Sequence, residues 1–173
     1  MARQATKAIQ SVYCQARLEA AKWNEKLLTR VGAVEYLPGV TEDSLKKYEL
    51  GITKVPHDVV LLMADAYNAP HLLNYYCLHE CPIGHQRTLS DEVVELDRVT
   101  LKLLKRLRVD QLEEIKEKLV DIAEDGVISE EEKPDMAQIM DYLDELAKTI
   151  SEIQTAGKRA LNQFGGSGNG KER

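Results

Sequence analysis

The sequence predicts an all-α protein, a domain of five short helices followed by a long helical hairpin. Leu, Ala, Glu and Lys are abundant and aromatic residues make up only 5%, a composition that suits helices better than strands. Apolar residues recur every three or four positions through the second half of the chain, the period of one helix face. No segment shows the sustained single alternation of a half-buried strand.

Each element has local signals. The first expected helix covers residues 3–22, with Ala8, Val12, Cys14, Ala16 and Leu18 among its apolar positions. Thr29 is placed to cap a second helix running to about Leu37, which Pro38-Gly39 ends. Thr41 suits the start of a third, because its hydroxyl can accept from the amide two or three residues on. That helix turns Leu45 and Tyr48 inward and stops at Gly51. Pro56 fits the first turn of a fourth, whose apolar set is Val59, Val60, Leu62, Met63 and Ala66. Pro70 opens a short fifth carrying Leu72, Leu73 and Tyr76. The tight turn between the second and third makes this a helix-turn-helix arrangement.

In the second half, Leu96, Val99, Leu103 and Leu107 form one apolar series, and Leu112, Ile115, Leu119 and Ile122 continue it. Asp110 with Glu113 can restart a helix, so a kink is expected near Val109. After a break, Ile139, Leu143, Leu146, Ile150 and Ile153 recur at heptad-like spacing. One hairpin cannot bury two wide apolar faces alone, so a homodimer through the carboxyl-terminal helices is expected.

The 173 residues are 43% hydrophobic and 30% charged, too apolar for a disordered chain and too charged for a membrane protein. No run approaches the roughly 18 apolar residues of a spanning helix, and the amino terminus lacks a signal-peptide core. The expectation is a soluble cytoplasmic protein with no membrane partner. A net charge of −6 argues against coating nucleic acid through bulk charge. Three cysteines, an odd count, point to reduced thiols rather than a disulfide framework. Residues 1–85 carry nine Lys/Arg and nine Asp/Glu, so residues 86–173 hold the entire −6. Texture changes at the same place, from Gly/Pro-punctuated to long charged stretches. The expected organisation is a helix-turn-helix domain over 1–85, a helical hairpin for self-association or signal input over 86–163, and a flexible Gly-rich tail over 164–173.

The run Ala33-Val34-Glu35-Tyr36-Leu37-Pro38-Gly39-Val40-Thr41-Glu42-Asp43-Ser44-Leu45-Lys46-Lys47-Tyr48-Glu49-Leu50-Gly51 resembles the lambda-repressor-like (XRE) helix-turn-helix. In that family an apolar second helix, a Gly-Val/Ile-Ser/Thr turn and a recognition helix ending in Tyr-Glu-x-Gly follow one another. Pro56 to Pro70, with Met63-Ala64-Asp65-Ala66-Tyr67, looks like the family's fourth helix. The likeness covers about residues 10–85. Tyr75-Tyr76-Cys77-Leu78-His79-Glu80-Cys81-Pro82-Ile83-Gly84 looks like a subgroup of bacterial XRE regulators with a Cys-x-x-x-Cys-Pro-Ile-Gly segment.

The resemblance implies a five-helix lambda-repressor-like domain that binds double-stranded DNA as a dimeric transcriptional regulator, more readily a repressor than an activator. It implies that Thr41, Glu42, Asp43, Ser44, Lys46 and Lys47 face the major groove and that Arg30 meets a phosphate. It also implies an ion pair between Arg17 and Glu49 that clamps the recognition helix; the competing reading makes both solvated surface charges. Glu42 and Asp43 depart from what a polyanion favours, although a carboxylate can accept from cytosine. From Arg30 to Lys54, four positive residues meet four negative ones. This neutrality supports an alternative function, a protein-interaction adaptor on a helix-turn-helix scaffold.

His71, Cys77, His79, Cys81 and His85 lie within fifteen residues. Thiolate and imidazole are zinc ligands, but Cys77 and Cys81 are four apart, as on one helix face, rather than in a Cys-x-x-Cys turn. Packing, metal binding through Cys77, His79, Cys81 and His85, and redox sensing all remain open at this point; Cys14 fits the core. Asp121 to Glu132 resembles a calcium-binding EF-hand loop at Asp121, Asp125, Gly126, Ile128, Ser129 and Glu132, with Ala123 where an oxygen ligand is expected. A helix end at Gly126 and a Ser129/Glu132 capping box cover most of the same residues. No Gly-rich phosphate loop, Gly-x-Ser-x-Gly elbow or His-Glu-x-x-His pair occurs. The expectation is a regulator without cofactor, not an enzyme.

Overall fold

The structure, a computed structural model, describes residues 11–123 and 127–165, with the side chains of 163–165 left aside. The described residues form eight α-helices and two 3₁₀ turns, without strands. They divide into two compact units, one reaching to Arg87 and resuming at Leu161, the other Thr88–Ala160. Of the Gly-rich tail expected over 164–173, residues 164 and 165 belong to the last helix and the rest lie outside the described residues.

In the first unit, α1 (Val12–Ala20), α2 (Arg30–Val34), α3 (Glu42–Glu49), α4 (His57–Ala66) and α5 (His71–His79) follow one another. A 3₁₀ turn over Glu25–Leu28, which no sequence signal announced, joins α1 to α2 and is capped by Asn24, whose side chain accepts from Lys26 N. Thr29 and Thr41 cap α2 and α3 as expected, accepting from the amides of Gly32 and Ser44. Gly39 (φ 84°) and Gly51 (φ 66°) turn the chain before and after α3 in the left-handed region, where a Cβ is disfavoured. Asn68, at φ 48°, does the same after α4, and its short polar side chain is among the few that tolerate it. The helices close on Leu27, Ala33, Leu37, Leu45, Val60, Met63 and Leu72, each at most 1% exposed. This is one continuous core.

Tyr67 borders that core with its ring buried and its hydroxyl, among the described residues, without a hydrogen-bond partner. A buried unpaired hydroxyl costs more than it contributes. Tyr67→Phe is therefore expected to raise the unfolding free energy by about 1 kcal/mol. Urea denaturation followed by circular dichroism checks this; a lower midpoint would contradict it.

The second unit is a hairpin whose first arm is broken. That arm consists of α6 (Leu96–Arg106) and α7 (Val109–Ala123), and α8 (Lys133–Gly165) is the other. The pairs Lys102–Glu152, Arg106–Glu145 and Lys118–Asp135 show the first arm antiparallel to α8 along both pieces. The expected kink falls at Leu107, whose ψ of 38° leaves the helical region. The Tyr142 hydroxyl donates to the Arg106 carbonyl at 2.9 Å, satisfying one acceptor that the break releases. Residues from Ser90 to Glu95, just before this helix, are not helical. Ser90 N instead donates to Ser151 Oγ, and the Thr88 hydroxyl donates to Asp144 Oδ1.

The inward stripe also differs from the one expected. Ile115 and Ile122 pack with Ile139 and Tyr142, and Val99 and Thr149 are fully buried. Leu143 and Ile150, assigned from spacing to the same stripe, lie outward with Met140. Both series repeat at three and four, so spacing alone cannot tell which one a partner helix covers. The turn into α8 is a reciprocal capping box: Ser129 N donates to Glu132 Oε2 at 2.8 Å and Glu132 N to Ser129 Oγ at 3.3 Å. The calcium-loop reading falls partly outside the described residues, which omit 124–126.

Candidate nucleic-acid interface

The helix that follows the turn is α3, and its cap is built from its own first residues. Thr41 Oγ1 accepts from Ser44 N at 3.2 Å, and its hydroxyl donates to Ser44 Oγ at 2.9 Å. Glu42 and Asp43 sit in the first turn and Lys46 and Lys47 in the last, the order the helix macrodipole favours. The inner face is fixed by Leu45 and Glu49, both buried, so Glu42, Asp43, Lys46 and Lys47 are left exposed.

What fixes α3 is a buried charge cluster. Arg17 on α1 grips Glu49 with two nitrogens, Nε to Oε1 at 2.6 Å and Nη2 to Oε2 at 3.1 Å. Its remaining nitrogen, Nη1, donates to the Leu27 and Leu28 carbonyls at 2.7 and 3.0 Å. One guanidinium thus ties together α1, the 3₁₀ turn and α3. Burial works against the Arg17 charge, the hydrogen bond and charge of Glu49 favour it, and the balance holds the guanidinium above its ordinary pKa. Arg30 adds a second cation, with Nε donating to Glu49 Oε2 at 2.7 Å. The expected Arg17–Glu49 pair is present, and Arg30, expected to meet a phosphate, also bonds Glu49 through Nε while its side chain stays partly exposed. The Cys14 thiol lies 3.6 Å from Arg17 Nη2. Burial, then the Glu49 charge, push its pKa up, which suits a packed thiol rather than a reactive one.

Most of the seven candidate DNA-contacting residues have partners within the chain. Thr41 and Ser44 hold the cap, Arg30 holds Glu49, and Asp43 pairs with Lys47 at 2.7 Å. The Lys47 hydrogen bond and charge keep the Asp43 carboxyl below its ordinary range. Among the seven, only Glu42 and Lys46 have no hydrogen bond or ion pair with another described residue. The Asp43–Lys47 pair is exposed, where solvent screens an ion pair strongly, so it leaves Lys47 available to another anion.

No family model, curated protein or solved structure matches the chain.

The cysteine and histidine cluster is a helix ending. Glu80 N and Cys81 N both donate to the Tyr76 carbonyl at 2.9 Å, and His85 N donates to the Cys81 carbonyl. The chain then folds back onto α5 so closely that a Cβ on Gly84 would lie 2.2 Å from the Cys77 carbonyl oxygen. Only glycine permits that approach. Cys77 and Cys81 are free, half-buried thiols, and the His79 ring lies 4.5 Å from that of Tyr75. Among the described residues, no group of three or more His, Cys, Asp or Glu side chains is arranged to hold a metal ion.

Sequence reasoning missed three features of this unit: Arg30 as part of the clamp, the Arg17 bonds to Leu27 and Leu28, and a Tyr13 hydroxyl donating to Glu80 Oε1 at 2.7 Å. Arg30 and Tyr13 join their partners across 19 and 67 residues. No local pattern announces such pairings.

Proposed function

We propose that this protein is a sequence-specific DNA-binding transcriptional regulator that docks α3 in the major groove and acts as a homodimer. The observation carrying this reading is the buried Arg17–Glu49–Arg30 cluster, which fixes α3 after a capped turn with its polar side chains outward. Lys46 and Lys47 supply the positive charge, and Thr41 and Ser44 can contact backbone oxygens. For the dimer, the second unit offers an exposed stripe of Met140, Leu143 and Ile150 on α8, with Leu101 and Leu104 exposed on α6. No helix among the described residues is long and apolar enough to cross a membrane.

A second reading, a protein-interaction adaptor, is favoured by the exposed Glu42-Asp43 pair at the leading end of α3. Binding of fluorescent random-sequence duplex DNA at several salt concentrations, beside a Lys46→Ala/Lys47→Ala double variant, separates the two. The regulator reading expects affinity that falls steeply with salt, with a slope shallower in the variant by about one for each phosphate that a lysine no longer neutralises. Equal binding by the variant, or none at low salt, would favour the adaptor.

A further inference from the structure

A cleft of about 410 Å³ opens in the first unit between the start of α1, the end of α3 and the end of α5. That volume lies within the range of small-molecule sites. Tyr13, Tyr48 and Tyr75 line it, with Tyr13 and Tyr75 edge to face at 5.8 Å between ring centres. Glu80 lines it too. Its Oε1 accepts from Tyr13, while Oε2 is buried with no hydrogen-bond partner among the described residues. Burial and the Glu80 hydrogen bond push the Tyr13 phenol far above its ordinary range, so it stays a donor. A buried carboxylate oxygen without a donor calls for an explanation.

The surroundings mostly favour positive charge. Aromatic faces attract cations. Two helix carboxyl ends, at Leu50 and Glu80, reach the cleft and bring partial negative charge. The second carboxylate on the wall, Glu49, is already held by two arginines. The opposing feature is Lys54, an exposed cation that also lines the cleft.

We propose that this cleft is a binding site for a small organic ammonium, with Glu80 as the counter-charge and the tyrosine rings as the walls. Tyr48 to Gly51 form part of the wall, so a bound ligand touches the carboxyl end of α3. The site does not depend on DNA binding, and its test contains no DNA, so either reading can fail without the other.

The test is calorimetric titration of the full chain with choline and with putrescine, beside 3,3-dimethylbutan-1-ol, the uncharged isostere of choline. Saturable binding of either cation is expected, about tenfold or more tighter than the isostere. Glu80→Gln, checked for folding by circular dichroism, is expected to lose at least tenfold in affinity. Lys54→Ala changes only an exposed residue and is expected to tighten binding several-fold, because a repelling charge is removed. No saturable binding of either cation, equal binding of the isostere, a folded Glu80→Gln variant that binds unchanged, or a Lys54→Ala variant that binds no better would overturn the proposal.

Discussion

Replacing Glu49 with alanine is expected to cost about 3–5 kcal/mol of unfolding free energy, the usual result of breaking a buried ion pair from one side. The Glu49 side chain is completely inaccessible and Arg17 is 4% exposed, so the variant leaves a guanidinium in the core without its counter-charge. Arg17 keeps the Leu27 and Leu28 carbonyls on Nη1 and a weak contact from Nη2 to Cys14 Sγ, while Nε and Nη2 lose their carboxylate. Glu49→Gln retains one acceptor and is expected to lose less, giving an order of wild type, Gln, Ala. Urea denaturation monitored by circular dichroism measures this. If the alanine variant unfolded at the wild-type midpoint, the cluster would contribute nothing to stability, and its role in fixing α3 would fall with it.

Leu45→Ala is expected to cost about 2–5 kcal/mol, the range for emptying a fully buried leucine site. Leu45 is 0% exposed and is the apolar side chain by which α3 enters the core, in the same cluster as Leu37 and Met63. Unlike the Glu49 variant, this one leaves the Arg17–Glu49–Arg30 cluster paired, so its loss should be insensitive to salt. The denaturation midpoint should fall with an unchanged m-value. A loss below about 0.5 kcal/mol, the scale of a neutral surface change, would mean that the helix is not seated as described.

Much of the first unit was legible because helix ends are local. Thr29 and Thr41 accept from amides three residues away, Gly51 takes a positive φ within its own turn, and Pro56 and Pro70 precede the helices they open. Neighbouring residues contain that information. The Ser129/Glu132 capping box is of the same kind. The Arg17–Glu49 pair follows from a family resemblance rather than a local rule, and the bond from Arg30 to Glu49 follows from neither.

The sequence by itself determined that the chain is helical, where α2 to α5 begin, that α3 stops at Gly51, and that the charge balance changes near residue 85. Only the tertiary structure decided which residues meet. It drew Arg30 into the clamp, turned Leu143 and Ile150 outward while burying Tyr142 and Thr149, and set Glu80 beside Tyr13. The physical reason is one of range. Caps and turns are hydrogen bonds across a few residues, so composition at each position fixes them. A helix with apolar residues on two faces, or a charge with several possible partners, is settled only by what the rest of the fold places against it.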